Sequence, residues 1–302
     1  MSQIADKKRI GAEAVESKGW LRAHKWLILR RLSQFGILGL FLLGPLAGLW
    51  IVKGNLNYSH TLGLLPLTDP YIALQALFAG HVPEKLGLIG LAIALAFYLL
   101  VGGRVYCSWV CPVNVVTDAA GWLRDRLGIK GASSISRNTR YWILGMTLLG
   151  SALSGVVLWE LVNPVSMLHR GLIFGMGAAW TVVIAVFLLD LFVMNRGWCG
   201  RLCPVGAFYS LVGRWSPLRI SAPLRTACND CMDCFEVCPE PQVIRPALKG
   251  EGKGVGPVIL APSCTNCGRC IDVCSKEVFT YGLRFNNPAS TVTLVKVQPE
   301  TK

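Results

Sequence analysis

Four windows of the chain contain no Asp, Glu, Lys or Arg, namely 32–52, 86–103, 141–159 and 171–189. A helix crosses a hydrocarbon core of about 30 Å with roughly 20 apolar residues, so each window has about the length of a membrane span. Core helices of a soluble protein are the alternative, and they would have to be apolar on every face. The pattern therefore predicts an all-α polytopic membrane domain with four transmembrane helices.

The chain of 302 residues has a formal charge of +13, a level that first suggests nucleic acid as a partner. The basic residues are concentrated before residue 32, in the loop 104–140 and after residue 195, which together hold 27 of the 30 Lys and Arg. By the positive-inside rule these parts face the cytoplasm. We expect a protein of the bacterial inner (cytoplasmic) membrane with both termini cytoplasmic and no nucleic-acid partner.

The twelve cysteines all fall on the predicted cytoplasmic side or at helix ends there, which favours metal ligation over disulfides. Two runs have the C-x2-C-x2-C-x3-C spacing of bacterial ferredoxins, although Ser275 replaces the Pro that usually follows the second run. In that pattern three thiolates bind one [4Fe-4S] cluster and the fourth binds the other cluster. We assign Cys228, Cys231, Cys234 and Cys274 to one cluster, and Cys264, Cys267, Cys270 and Cys238 to the second.

A second cysteine pattern, C-x3-C-P, follows the second and the fourth apolar window, and its spacing predicts that the two cysteines of each pair share one face of a helix. Similar segments, Leu67–Pro70 and Leu161–Pro164, precede the two motifs by 37 and 35 residues, which indicates a two-fold internal repeat. Our hypothesis is that the four thiols converge between the halves and hold a further metal centre or a redox-active thiol set. Free thiols that only pack helix ends are an equal alternative. The four residues are Cys107, Cys111, Cys199 and Cys203.

Composition divides the chain into membrane and ferredoxin parts, with a linker at 216–223 where apolarity falls and two prolines occur. The ferredoxin part is predicted to be a small α+β cytoplasmic domain with two [4Fe-4S] clusters. The predicted units are an amphipathic N-terminal segment (1–26), the transmembrane domain (27–195), the second C-x3-C-P motif and linker (196–223), the two-cluster domain (224–285) and a tail (286–302).

Short segments along nearly the whole chain, including both C-x3-C-P motifs, carry a resemblance to a known family, and they are residues 19–20, 26–31, 66–70, 107–112, 159–160, 163–166, 197–200, 203–207 and 231–235. In these segments the chain resembles NapH proteins, the ferredoxin-type membrane subunits of the quinol dehydrogenase module of periplasmic nitrate reductase. The resemblance implies a component of a quinol dehydrogenase that works with a periplasmic iron-sulfur protein and a membrane multihaem cytochrome in nitrate respiration.

Quinol oxidation needs an apolar slot for the ring and a base that accepts a proton. Asp190 is one candidate, because an ionisable residue inside an apolar window is by default a functional hypothesis, although pairing with Arg196 is an alternative. The candidates on the predicted outer side are Asp69, His81 and His169, with His60, Glu84 and Glu160 as lesser ones.

Whether the chain is itself catalytic is left open by the sequence. A non-catalytic membrane anchor is the alternative, as is a redox-sensing or metal-handling accessory protein of a respiratory complex. Accessory proteins of the copper-oxidase and nitrous-oxide-respiration types share the C-x3-C-P and ferredoxin motifs. The chain also lacks the C-x-x-C-H motif that attaches haem, so any quinol site has to be inferred.

Overall fold

The computed structural model describes residues 10–129, 135–175, 177 and 179–285, and these residues are mostly helical. Up to residue 215 it contains ten α-helices and one small sheet. The helices are α1 (Ala12–Lys18), α2 (Trp20–Ala23), α3 (Lys25–Ala47), α4 (Pro70–Phe78), α5 (Lys85–Val101), α6 (Val113–Leu127), α7 (Thr139–Ser154), α8 (Pro164–Phe174), α9 (Ala179–Leu188) and α10 (Pro204–Val212). The strands are β1 (Val52–Gly54), β2 (Tyr58–Thr61) and β3 (Leu65–Thr68).

Each of the four apolar windows overlaps a helix, but the helices differ in length. In the described residues only α3, with 23 residues, is both long enough and apolar enough to cross a membrane by itself. The stretches Lys85–Val101 and Trp180–Val193 are apolar but shorter, and α7 has 16 residues. Helix length alone therefore does not confirm the four-span arrangement.

The window 171–189 is not a single helix, contrary to the prediction. Its first residues complete α8, which ends at Phe174, and α9 begins at Ala179. Gly175 between them has a φ of 86°, a left-handed conformation that stops a helix and that glycine adopts at low cost. A count of charged residues could not detect this break, because glycine is uncharged.

The two halves of the helical part have a similar order of elements. In each half a short helix begins at a proline after a capping residue, Asp69 or Asn163, whose side chain accepts backbone N–H groups. A second apolar helix follows, α5 or α9. Helix α5 leads to one π-helical turn, Tyr106–Val110, whereas α9 continues into the π-helical turn Leu189–Val193 and is followed by another, Trp198–Leu202. The turns Tyr106–Val110 and Trp198–Leu202 each contain the first cysteine of a C-x3-C-P motif. A further helix, α6 or α10, begins beside the proline of the motif.

The segment between α3 and α4 forms an antiparallel sheet in the order β1-β2-β3. Its register pairs Val52 with Thr61 and Ser59 with Leu67. Strand β3 packs on α5, and the chain then turns at Asp69 into α4. The sheet therefore fixes the position of Asp69 against the apolar helices.

The ferredoxin part contains β4 (Leu218–Ser221), α11 (Asp233–Val237), α12 (Ile244–Lys249), α13 (Arg269–Val273) and β5 (Thr280–Leu283). Strands β4 and β5 are antiparallel partners, and Ile220 is 1% exposed in the core beneath them. Residues 218–221, which the sequence analysis placed in the linker, are thus part of this domain. Two prolines nearby suggested a linker, but the strand itself contains none and buries three of its four residues.

The N-terminal segment packs on the ferredoxin part rather than standing free. The backbone N–H of Gly11 donates to Asp233, and the Lys18 ammonium donates to the carbonyls of Ile271 and Cys274. Asp272 accepts the backbone N–H groups of Trp26 and Leu27 at the start of α3. The first and the last described parts of the chain therefore form one packed unit.

Candidate functional site

The four cysteines assigned to the first cluster surround one small cavity between α11 and α13. This cavity has a volume of about 20 Å³, and its apolar walls include Phe235, Leu248 and Val273. Burial, followed by the charges of neighbouring thiols, raises the pKa of Cys234 to about 12. Those neighbours are Cys231, Cys274 and Cys228, so the structure brings together the four residues of the first predicted set.

Cys238 follows the first motif in sequence but lies beside the second motif in space. Burial raises its pKa, and the next largest influence is the thiol of Cys267, with Cys264 also acting on it. The pKa of Cys270 is likewise raised by burial and by the nearby thiols of Cys267, Cys238 and Cys264. The second predicted set is therefore also brought together, and the two sets exchange their fourth cysteine.

Both ferredoxin motifs bend the backbone at equivalent positions. The residue two places after the first cysteine has positive φ in each motif, 57° at Asp230 and 47° at Asn266. The residue directly after the second cysteine does as well, 65° at Met232 and 73° at Gly268. Such alternation turns successive backbone N–H groups toward one side and forms a concavity that suits an anion. A thiolate-ligated iron-sulfur cluster is an anion of this kind.

Arg30 provides an independent test of whether the second set fits an anionic cluster. Its side chain is fully buried, at 0% exposure, and none of its three guanidinium nitrogens has a hydrogen-bond partner among the residues that the structure describes. Burial acts to raise the pKa of Cys267, but the positive charges of Arg30 and Arg269 outweigh it and lower that pKa. A buried cation without a partner is costly. Anionic cluster sulfur beside Cys267 therefore fits the position of this guanidinium.

The four C-x3-C-P cysteines, which come from both halves of the chain, line a single cavity of about 30 Å³. The spacing predicts that each pair lies on one face of an α-helix, but the first cysteine of each pair lies in a π-helical turn and the second directly follows that turn. The second cysteine of each motif donates its N–H to a carbonyl five residues back, from Cys111 to Tyr106 and from Cys203 to Trp198, both at 2.9 Å. A proline directly follows Cys111 and Cys203 and prevents each turn from continuing as the same helix.

The N-termini of α4, α6, α8 and α10 all border this four-cysteine cavity, through Asp69, Val113, Asn163 and Val205. A helix N-terminus carries partial positive charge and unpaired N–H groups, and it stabilises a nearby thiolate. Trp159 also lines the cavity, and within the described part of the chain its buried indole N–H has no hydrogen-bond partner. The cavity is therefore suited to hold negative charge.

A smaller cavity of about 20 Å³ connects the four-cysteine cavity with the second ferredoxin set, because its walls include Cys107, Cys199 and Cys267. Glu240, also in its wall, is 2% exposed. The Glu240 carboxylate accepts from Arg104 at 2.8 Å and from Arg140 at 3.1 Å. Burial acts to raise the pKa of Glu240, but these two guanidinium groups outweigh it and lower the pKa. This buried charge cluster joins the ferredoxin part to the helices.

Of the four residues proposed for the quinol site, only Asp69 borders a sizeable cavity. Asp190 is fully buried. It accepts the backbone N–H of Trp198 at 2.9 Å, so it supports the π-helical turn Trp198–Leu202 rather than facing an open space. His81 is exposed and lies 3.0 Å from the carbonyl of Gly155, and His169 is buried against Phe41. The structure therefore does not gather these four residues into one site.

Several residues of the site were missed by the sequence analysis. Arg104 directly follows the window 86–103 and was interpreted as a basic flank of a span, whereas it pairs with Glu240, 136 residues away. Arg30 was interpreted in the same way. The available signal for Glu240 was its place directly after Cys238 and Pro239, in a chain with only 17 acidic residues.

The cysteine-bearing segments match known iron-sulfur families. Residues 85–130 and 173–223 match a model described as a 4Fe-4S binding domain, and residues 227–278 match one described as a 4Fe-4S dicluster domain. The first match contains all four C-x3-C-P cysteines, and the second contains all eight ferredoxin cysteines. The chain is therefore a ferredoxin-type electron-transport protein with 4Fe-4S domains.

Curated relatives identify the family within this class. The chain is 46% identical to the ferredoxin-type protein NapH of Escherichia coli K12, over 95% of this chain and 100% of the relative. It is 49% identical to NapH of Haemophilus influenzae, over 93% and 97%. It is 57% identical to the methylamine utilization ferredoxin-type protein MauN of Methylorubrum extorquens AM1, over 90% and 94%. The chain belongs to the family of ferredoxin-type proteins that includes NapH and MauN, which confirms the resemblance to NapH. No solved structure matches the chain.

Proposed function

We propose that the chain is a membrane electron-transfer subunit that takes electrons from quinol. The observation that carries this proposal is the crossed arrangement of the eight ferredoxin cysteines around two positions. The proposed ligand sets are Cys228, Cys231, Cys234 and Cys274 for one cluster, and Cys264, Cys267, Cys270 and Cys238 for the other. Two [4Fe-4S] clusters, when bound there, supply single-electron transfer.

The four-cysteine cavity is the proposed place of a third redox centre, either a metal centre or a redox-active thiol set. Four thiols from two repeat-related halves meet there, and four helix N-termini border them. The cavity is at least as large as the space between the thiols of the first ferredoxin set, at about 30 Å³ against about 20 Å³. Through Cys107 and Cys199 it also adjoins Cys267, which supports an electron path from the helical part to the second cluster.

The proposed topology keeps four spans, with the N-terminus and the ferredoxin part in the cytoplasm. Its support is the four uncharged windows and the concentration of basic residues outside them. The domain division at about residues 27, 196 and 224 belongs to this proposal, with β4 added to the ferredoxin part.

The decisive experiment is on anaerobically purified full-length protein. We expect at least about eight irons per chain and low-temperature EPR signals of reduced clusters, both after dithionite and after a reduced quinol analogue. If dithionite reduces the clusters but quinol does not, the electron-entry role is refuted and the anchor or sensor alternative replaces it.

Paired cysteine variants separate the third centre from the two clusters. The Cys107→Ala/Cys203→Ala double variant is expected to lose the signal or the iron of the four-cysteine cavity while it retains the ferredoxin-type EPR signals. A Cys270→Ala variant is the matched control and is expected to lose a ferredoxin cluster. Unchanged iron content and unchanged electron transfer in the double variant would refute the third centre.

The partner module has two candidates. The NapH relatives favour a periplasmic iron-sulfur protein and a multihaem cytochrome that lead to periplasmic nitrate reductase. The 57% identity to MauN favours a module for methylamine utilization instead. Expression of this chain in Escherichia coli lacking NapH and in Methylorubrum extorquens lacking MauN tests both, because restored nitrate respiration or restored growth on methylamine identifies the module.

A further inference from the structure

A second cavity, of about 420 Å³, lies between α3, the three-stranded sheet, α5 and α10. Its volume falls within the range of roughly 300–1,000 Å³ that is typical of small-molecule sites. Most of its wall is apolar and comes from side chains such as Ile37, Phe41, Val52, Ile93, Ala94 and Phe97. The cavity has the size and polarity for an apolar ring compound, and no function discussed above occupies it.

Asp69 contributes a carboxylate to the wall of this cavity, and it is 8% exposed. Its Oδ1 accepts the backbone N–H groups of Tyr71 and Ile72, and its Oδ2 accepts the hydroxyl of Tyr209 at 3.0 Å. Each carboxylate oxygen has two lone pairs. Oδ2 therefore retains the capacity to accept one more hydrogen bond, from a hydroxyl group in the cavity.

The apolar cavity and the four-cysteine cavity are neighbours. Asp69 and Tyr106 line both of them. A ring that is hydrogen-bonded to Asp69 is therefore separated from the four-cysteine cavity by the wall to which Asp69 and Tyr106 contribute. Burial raises the pKa of Asp69 to about 6, and the nearby charge of Glu160 acts in the same direction. Near neutral pH this carboxylate is a base of the strength that proton transfer requires.

We propose that the apolar cavity binds the ring of a membrane quinol, with one ring hydroxyl donating to Oδ2 of Asp69. This inference rests on the proposed function and assigns its substrate site. Oxidation of the quinol to quinone releases two electrons, which pass to the iron-sulfur acceptors of the chain, and two protons. The protons pass in turn to Asp69, and from it to the half-buried Glu160 and water.

Binding is tested with a photoreactive azidoquinone on the purified full-length protein. We expect covalent label on α5 near Tyr98, and competition by excess unlabelled quinone. Ala94→Phe places a ring inside the cavity and is expected to reduce labelling at least tenfold. Ala92→Phe adds the same ring to an exposed position of the same helix and is expected to label like the wild type. Three results would overturn the site. The label could lie elsewhere in the chain, or Ala94→Phe could be labelled as much as the wild type. Unlabelled quinone could also fail to compete with the label, as expected if only lipid fills the cavity.

Reduction of the clusters distinguishes failure of the site from failure of the proposed function. The site is supported if quinol reduces the wild type but not Ala94→Phe, while dithionite reduces both and their iron contents agree. If quinol reduces both proteins equally, the cavity assignment is wrong and the proposed function stands. If quinol reduces neither protein and dithionite reduces both, the proposed function fails, and the labelling result alone decides whether the cavity binds quinone.

Discussion

The substitution Glu240→Gln tests whether the buried charge cluster holds the ferredoxin part against the helices. It removes one negative charge and preserves the shape of the side chain. Arg104 and Arg140 are 1% and 2% exposed and share this carboxylate. In the variant both positive charges stay buried without an anion.

The structure sets the size of the expected effect. Removal of one partner from a buried ion pair costs about 3–5 kcal/mol. Arg104 keeps the carbonyls of Ser263 and Cys199 as acceptors, and Arg140 keeps Gly200. The lower end, about 3 kcal/mol, therefore applies, which corresponds to roughly 150-fold in the unfolding equilibrium.

The assay is denaturant unfolding of the detergent-solubilised holoprotein, followed by cluster absorbance and tryptophan fluorescence. Glu251→Gln is the control, because Glu251 is 58% exposed and pairs with Arg225. An exposed pair of this kind contributes about 0–1 kcal/mol. Equal unfolding free energies for the two variants would show that the Glu240 cluster does not hold the two parts together.

Three further predictions concern the clusters and the quinol site. Arg30→Gln is expected to lower the reduction potential of the second cluster, since it removes a buried positive charge that stabilises the reduced form. An EPR redox titration measures this potential, with Arg22→Gln as the exposed control. Equal potentials in the two variants would contradict the prediction. Gly268→Ala is expected to reduce the iron content of the protein, because φ at this position is +73° and the new Cβ would lie 2.6 Å from Cγ of Trp26. Gly252→Ala is the control, since a Cβ there has no described atom within 4 Å. Equal iron content in the two variants would contradict this prediction. The rate of cluster reduction by quinol is expected to rise from pH 5 to 7, because the pKa of about 6 leaves Asp69 protonated, and unable to accept a proton, at the lower pH. Stopped-flow measurements should show that Asp69→Asn abolishes this dependence, and an unchanged profile in the variant contradicts the assignment.

The ferredoxin motifs were informative because the required geometry is local. In the ferredoxin pattern three closely spaced cysteines, at the positions of Cys264, Cys267 and Cys270, bind one cluster from a single loop, and the pattern itself implies the exchange of the fourth. The spacing alone therefore predicts that Cys238 and Cys274 each lie with the cysteines of the other motif. The C-x3-C-P motifs were less informative, since their spacing suggested an α-helical face and the chain forms π-helical turns.

The remaining features depend on contacts between distant segments, which no local pattern encodes. Tyr209 meets Asp69 across 140 residues of chain, and Arg104 meets Glu240 across 136. Hydropathy found the apolar helices, but it did not detect the break at Gly175. The sequence also proposed Asp190, His81 and His169, and it gave no reason to prefer Asp69 over them. Only the cavity wall distinguishes Asp69.

The docking of the N-terminal segment has a consequence for biogenesis. Gly11 and Lys18 bind to Asp233 and to the carbonyls around Cys274, and translation produces these partners more than 200 residues later. The ribosome therefore releases the first helix long before its binding surface exists. That surface lies on the loops that carry the cluster thiols. Docking of the N-terminal helix therefore has to wait for synthesis of the ferredoxin part, whatever the order in which the preceding helices fold.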